Sequence, residues 1–139
     1  MSTNKILISG LVSGIAIFLL GYLFYGVIFM NTMQGMSGSA TGVMKEMDAM
    51  VWWALIIGNL LWGFLLAYIF GMWANISTFM GGLKGGATVG LLIGAAFDLT
   101  MFATANIMTL SGTILDIVIM TVMMGIGGGV AGWMLGRGK

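Results

Sequence analysis

Few residues in this chain can do chemistry. Glu46, Asp48, Asp98 and Asp116 are its only carboxylates, and it has neither histidine nor cysteine. That removes imidazole acid–base catalysis, thiolate nucleophiles, disulfides and imidazole or thiolate metal sites. No nucleophile–base pair and no metal-ligand set is visible, so the residues point to no enzyme, no cofactor and no metal. Glu46 and Asp48 lie in a polar stretch beside Lys45, whereas Asp98 interrupts the apolar run "GLLIGAAFDLTMFATAN" from Gly90 to Asn106. An ionised aspartate inside a membrane span costs ~2.5–3.5 kcal/mol on insertion scales, so such a residue marks a proton or solute site by default. The plain alternative is an interhelical hydrogen bond worth ~0.6–2 kcal/mol. Asp116 reads differently. It closes the tetrapeptide "TILD", Thr113–Asp116, which has the T-x-x-D form of a capping box at the start of a helix. Thr113 and Asp116 are therefore expected to be helix caps, with the carboxylate favoured by the helix N-terminus.

Other motifs carry less. "GGGVAG" (Gly127–Gly132) fits a dinucleotide-binding pattern but has no preceding strand. "NIS" (Asn75–Ser77) fits a glycosylation sequon, but Asn75 and Ser77 read as helix-end residues. The 15 methionines include Met120 and Met124, four apart. Thioethers suit Cu(I), but adaptable apolar filling explains them without a metal.

The elements that must hold these residues follow from composition. Hydrophobic residues make up 60% and charged residues 6% of the 139, which is the balance of an integral membrane protein and of one domain. The net charge of +1 gives no basic surface for nucleic acid. Four apolar stretches, at about 6–30, 51–74, 83–107 and 114–136, reach the ~20 residues a membrane helix needs. Neither strand alternation nor a β-barrel pattern is present. The expected fold is an all-α, four-helix membrane bundle. The first run is too long for a signal h-region and reads as a retained span. Between the first two spans, Thr41 is placed to cap a short interfacial helix carrying Val43, Met44, Met47 and Met50.

Lys5, Lys84, Arg137 and Lys139 fall on one side of an even-span topology, and Lys45 on the other. The positive-inside rule then predicts cytoplasmic termini in a multi-pass protein of a bacterial inner membrane. Trp52 and Trp53 open the second span and Trp73 closes it, as interface anchors do.

Small residues recur every fourth position. Gly86, Gly90 and Gly94 lead to Asp98, and Gly63 and Gly71 continue a stripe from Asn59. Gly128 and Gly132 mark the fourth span, and Gly10 and Gly14 the first. Such patterns let membrane helices approach closely. Within one bundle they are packing faces; the alternative is that the fourth span's stripe meets a second copy.

Depth suggests partners for Asp98. At helical rise it lies ~21 Å beyond Lys84, while Asn59 lies ~12 Å into the second span from the opposite side. Tyr22, Tyr25 and Thr121 fall in the same half. The expected polar cluster is Asp98, Asn59, Tyr22, Tyr25 and Thr121. No lysine or arginine matches Asp98 in depth, so the hydrocarbon favours its neutral acid, hydrogen-bonded to Asn59.

The second half also carries Phe97-Asp98-Leu99-Thr100, then Ala103-Thr104, then Asp116-Ile117, after a glycine-spaced entry. This pattern resembles small bacterial four-span membrane-protein families catalogued only as domains of unknown function. "LLGYLFYGVIF" in the first span resembles the G-x-x-x-Y segment of a related family. The likeness spans about half of the chain. Met101 stands where those families often carry asparagine, and the tryptophan often following the second acid is absent. The resemblance implies the four-span fold and no reaction. Two functions fit these residues: a small proton-linked transporter or channel-like protein centred on Asp98 and Asn59, or a non-catalytic assembly partner of a larger membrane complex or of a second copy.

Overall fold

The computed structural model describes residues 1–138. Four helices are long and apolar enough to cross a membrane: Thr3–Ile28, Trp52–Ala74, Phe79–Thr104 and Leu110–Gly136. Each begins or ends within a few residues of the apolar stretch that predicts it; the third and fourth start four residues earlier than expected. We label α1 (Thr3–Leu23), the short α2 (Met30–Gln34), α3 (Trp52–Tyr68), α4 (Phe79–Thr104) and α5 (Leu110–Gly136). Among the described residues the only β-type pairing is an isolated bridge between Ser37 and Met108.

Local chemistry sets the ends. The hydroxyls of Ser2, Thr78 and Thr109 accept from the amides of Lys5, Gly81 and Gly112, capping α1, α4 and α5. Asn75 takes a left-handed φ of 51° and stops the second span. Ser77 is not a cap; Thr78 beside it is. Thr113 and Asp116 are not caps either. α5 begins at Leu110, so Thr113 lies inside its first turn and donates to the Thr109 carbonyl, and Asp116 lies nearly two turns in. The expected interfacial helix behind Thr41 is also absent, and that stretch holds a single 3-10 turn at Met47–Ala49. Its charged residues Lys45, Glu46 and Asp48 leave too short an apolar run to anchor a helix.

Both α1 and α3 loosen into π-helix before they end, at Phe24–Ile28 and Ile69–Ala74. The Phe29 amide donates to the Phe24 carbonyl at 2.8 Å, five residues back. A π-turn widens the helix and re-aims the side chains it carries; Tyr25 lies in the first of them.

α5 is the central helix. It packs along α4, and also against α1 and α3, while α1 packs along α3. Glycines make these approaches possible. A side chain at Gly63 would strike the backbone of Gly10 and Gly14. Ser13 of α1 donates to the Gly127 carbonyl of α5 at 2.7 Å. Gly71 faces the Ile6 side chain, where an added Cβ would come within 2.9 Å.

The α4–α5 interface is an antiparallel ladder with four-residue steps. Gly82 meets Gly132, Gly86 meets Gly128, Gly90 meets Met124 and Gly94 meets Met120. The fourth span's glycine stripe is thus covered by α4, so it is not a seam with a second copy. Large apolar side chains cover the outside, among them Leu92 at 63% and Phe97 at 65% exposure, as a lipid-facing surface requires.

The helices alternate in direction. At one end the Lys5 ammonium donates to the Arg137 carbonyl. At the other, Gly38 and Ala40 donate to the carbonyls of Ile107 and Asn106, both at 2.8 Å, and Thr109 donates back to Met36 at 2.9 Å. These bonds clasp the loop after α2 onto the α4–α5 connection.

Candidate functional site

The next rung of the α4–α5 ladder after Gly94 and Met120 is Asp98 and Asp116. Asp98 is buried, at 6% exposure. Both carboxyls line one cavity of about 290 Å³ with Trp62, Ile93, Gly94 and Met120, so the two acids share one space. Each lies about 9 Å of helical rise inside the clasped end, one before the end of α4 and the other after the start of α5. The Tyr25 hydroxyl donates to Asp116 Oδ1 at 2.7 Å. Tyr25, Asp116 and Asp98 therefore form one polar chain across α1, α5 and α4. Asp98 Oδ2 is buried without a hydrogen-bond partner among the described residues. A second cavity of about 160 Å³ touches Asp98 from the clasped end, between Phe97, Met101, Ile107 and Thr113. Asp98 thus stands between two spaces.

This differs from the expected cluster. Asn59 is not the partner of Asp98: its amide nitrogen donates to the Leu55 carbonyl of its own helix at 2.8 Å. Thr121 likewise donates to the Ile117 carbonyl at 2.8 Å. Tyr22 is 55% exposed and joins no hydrogen bond among the described residues. The reason is lateral position. Asn59 has the expected depth, but α5 stands beside α4, and α3 has no comparable interface with it. Of the expected five, Tyr25 and Asp98 belong to one site, joined through Asp116. A signal for Asp116 was present in the sequence: it is four residues before Met120, on the line through Met124, Gly128 and Gly132.

The arrangement has definite chemistry. Two ionised carboxylates in contact, away from water, repel strongly, and one proton held between them relieves that repulsion. No lysine or arginine lines either cavity at Asp98 to take that role. The tyrosine hydroxyl stabilises the oxygen left as acceptor.

A third cavity, about 340 Å³, opens between α1 and α3. Its wall includes Tyr22, Tyr25, Asn59, Trp52 and Trp62, with no charged residue. Trp62 and Met120 line this cavity and also the one holding the two acids.

Comparison of the chain with protein-family models, with curated proteins and with solved structures finds no match.

Proposed function

We propose that this chain is a small proton-linked membrane transporter or channel-like protein whose protonatable centre is the Asp98–Asp116 pair, oriented by Tyr25. One observation carries the reading: a buried carboxyl without a donor faces a second carboxyl, with no basic side chain lining the cavities beside it. Two acids facing each other away from water need a shared proton to stay together, whereas an acid and an amide would bond without one. Keeping two acids makes sense where a proton arrives and leaves. The likeness of Phe97-Asp98-Leu99-Thr100 to small bacterial four-span families, and the lysine and arginine distribution, support a bacterial inner membrane with cytoplasmic termini. The alternative, an assembly partner, drew its support from the glycine stripes, and these are occupied within the chain.

The test is proton flux into vesicles carrying an internal pH dye. Wild-type protein should relax an imposed gradient faster than empty vesicles. Asp98→Asn should fold and slow this relaxation about ten-fold or more, the scale on which a lost proton carrier acts. Equal rates for wild type and Asp98→Asn, or for wild type and empty vesicles, would overturn the reading.

A further inference from the structure

The cavity between α1 and α3 has an unusual lining. The rings of Phe18, Tyr22, Tyr25, Trp52 and Trp62 border it, with the amide of Asn59 among them. Its volume, about 340 Å³, is that of a small-molecule site. Its acceptor oxygens belong to Asn59, Tyr25 and Tyr22, and its donors are the Tyr22 hydroxyl, the indole N–H groups of Trp52 and Trp62 and one N–H of Asn59. The other N–H of Asn59 is engaged with the Leu55 carbonyl, and its Oδ1 turns toward α1, where a Cβ on Gly21 would lie 3.9 Å away. The Tyr25 hydroxyl hydrogen is engaged with Asp116 Oδ1, so this oxygen can only accept from a further group. Met47 and Met50 add thioethers, which are weak acceptors.

A neutral apolar ligand would use the walls and ignore these atoms. An anion would meet ring faces, which repel it, and no lysine or arginine to hold it. A cation suits all three features: ring quadrupoles attract it, the oxygens accept from it, and the acid pair behind Tyr25 supplies the opposite charge at low dielectric. Trp62 and Met120, shared by both cavities, put that charge next door.

We propose that this cavity binds a small apolar organic cation, an alkyl- or aryl-substituted ammonium. The inference rests on the proton-linked reading, and names the solute class for it: cation and proton would compete for the same negative charge. Occupancy of the cavity would favour ionisation of the acid pair, and protonation of the pair would weaken cation binding.

Calorimetric titration of the whole protein in lipid nanodiscs, with protein-free nanodiscs as blank, tests this without a gradient. The probes are benzyltrimethylammonium and its uncharged isostere neopentylbenzene. The cation should bind about ten-fold more tightly than the isostere, as a desolvated cation–ring site predicts. Trp62→Leu should abolish the preference, Trp62→Phe should keep it, and Asp116→Asn should weaken the cation alone. Trp133→Leu, far from the cavity, should change nothing. Equal or tighter binding of the isostere would make the cavity an apolar lipid seat and overturn the proposal. So would no binding, or binding indifferent to Trp62→Leu. If the cation fails to bind while wild-type flux persists, this inference falls and the proton reading stands. If flux is absent while the cation binds, the proton reading falls and the cavity remains a binding site.

Discussion

At the residue scale, the weight falls on Asp98, because its buried Oδ2 meets no amide or hydroxyl donor among the described residues and its carboxyl faces a second acid. Asp98→Leu removes that oxygen and one side of the like-charge contact, and Asp116 keeps Tyr25. The expectation is a protein at least as stable as wild type, by about 1 kcal/mol in thermal unfolding in detergent, with proton flux lost. A Leu variant less stable by that amount would make Asp98 structural. Tyr25→Phe acts in the opposite direction. It strips the donor from Asp116 Oδ1 and should cost about 1 kcal/mol in the same assay. That Asp98 is special was legible from one carboxyl in an apolar run. Its partner was not, because depth along a helix is one coordinate and lateral position another. Asn59 matched in depth and lies on a helix whose interface with α4 is far smaller than that of α5.

At the element scale, glycine spacing made the packing faces readable. Gly86, Gly90 and Gly94 could face only something flat, and α5 supplies it with Gly128, Gly132 and the Met120–Met124 edge. Extended by one step, the same spacing pairs the two acids. The capping motif hid this, since "TILD" places a cap four residues too late: Thr109, ahead of it, already caps α5. The prediction here is a contrast between two glycines. An added side chain at Gly86 would strike the backbone of Met124 and Gly128, whereas at Gly58 it meets nothing within 4 Å. Gly86→Val should cost about 1–3 kcal/mol. Gly58→Ala should be neutral or stabilise by up to about 1 kcal/mol. Thermal unfolding of both in one detergent decides; similar losses would mean that the α4–α5 contact does not depend on close approach. The π-turn that carries Tyr25 left no recognisable trace in the sequence, because apolar periodicity is blurred where all faces are greasy.

At the scale of the whole molecule, the apolar runs alone gave the number and direction of the helices. Their arrangement, with α5 in the middle and α4 at the side, came from contacts no single segment encodes. Residues 2 and 39 lie at opposite ends of the bundle. Cysteines placed at Ser2 and Ser39 should therefore label from opposite faces of intact cells or spheroplasts, with Ser39 reached from outside. Labelling of both by an impermeant external reagent would reject the four-span topology. Labelling of Ser2 alone would reverse it. The contact between the Lys5 ammonium and the Arg137 carbonyl has a consequence for connectivity. The chain is nearly a closed loop: its first and last helices meet at the same end as the turn between α3 and α4. Joining the termini and opening that turn near Asn75–Ser77 would give a circular permutant that starts with α4 and α5 and finishes with α1 and α3. Every helix would keep its direction, every glycine rung its partner, and the Asp98–Asp116 pair would form within the first hairpin to emerge.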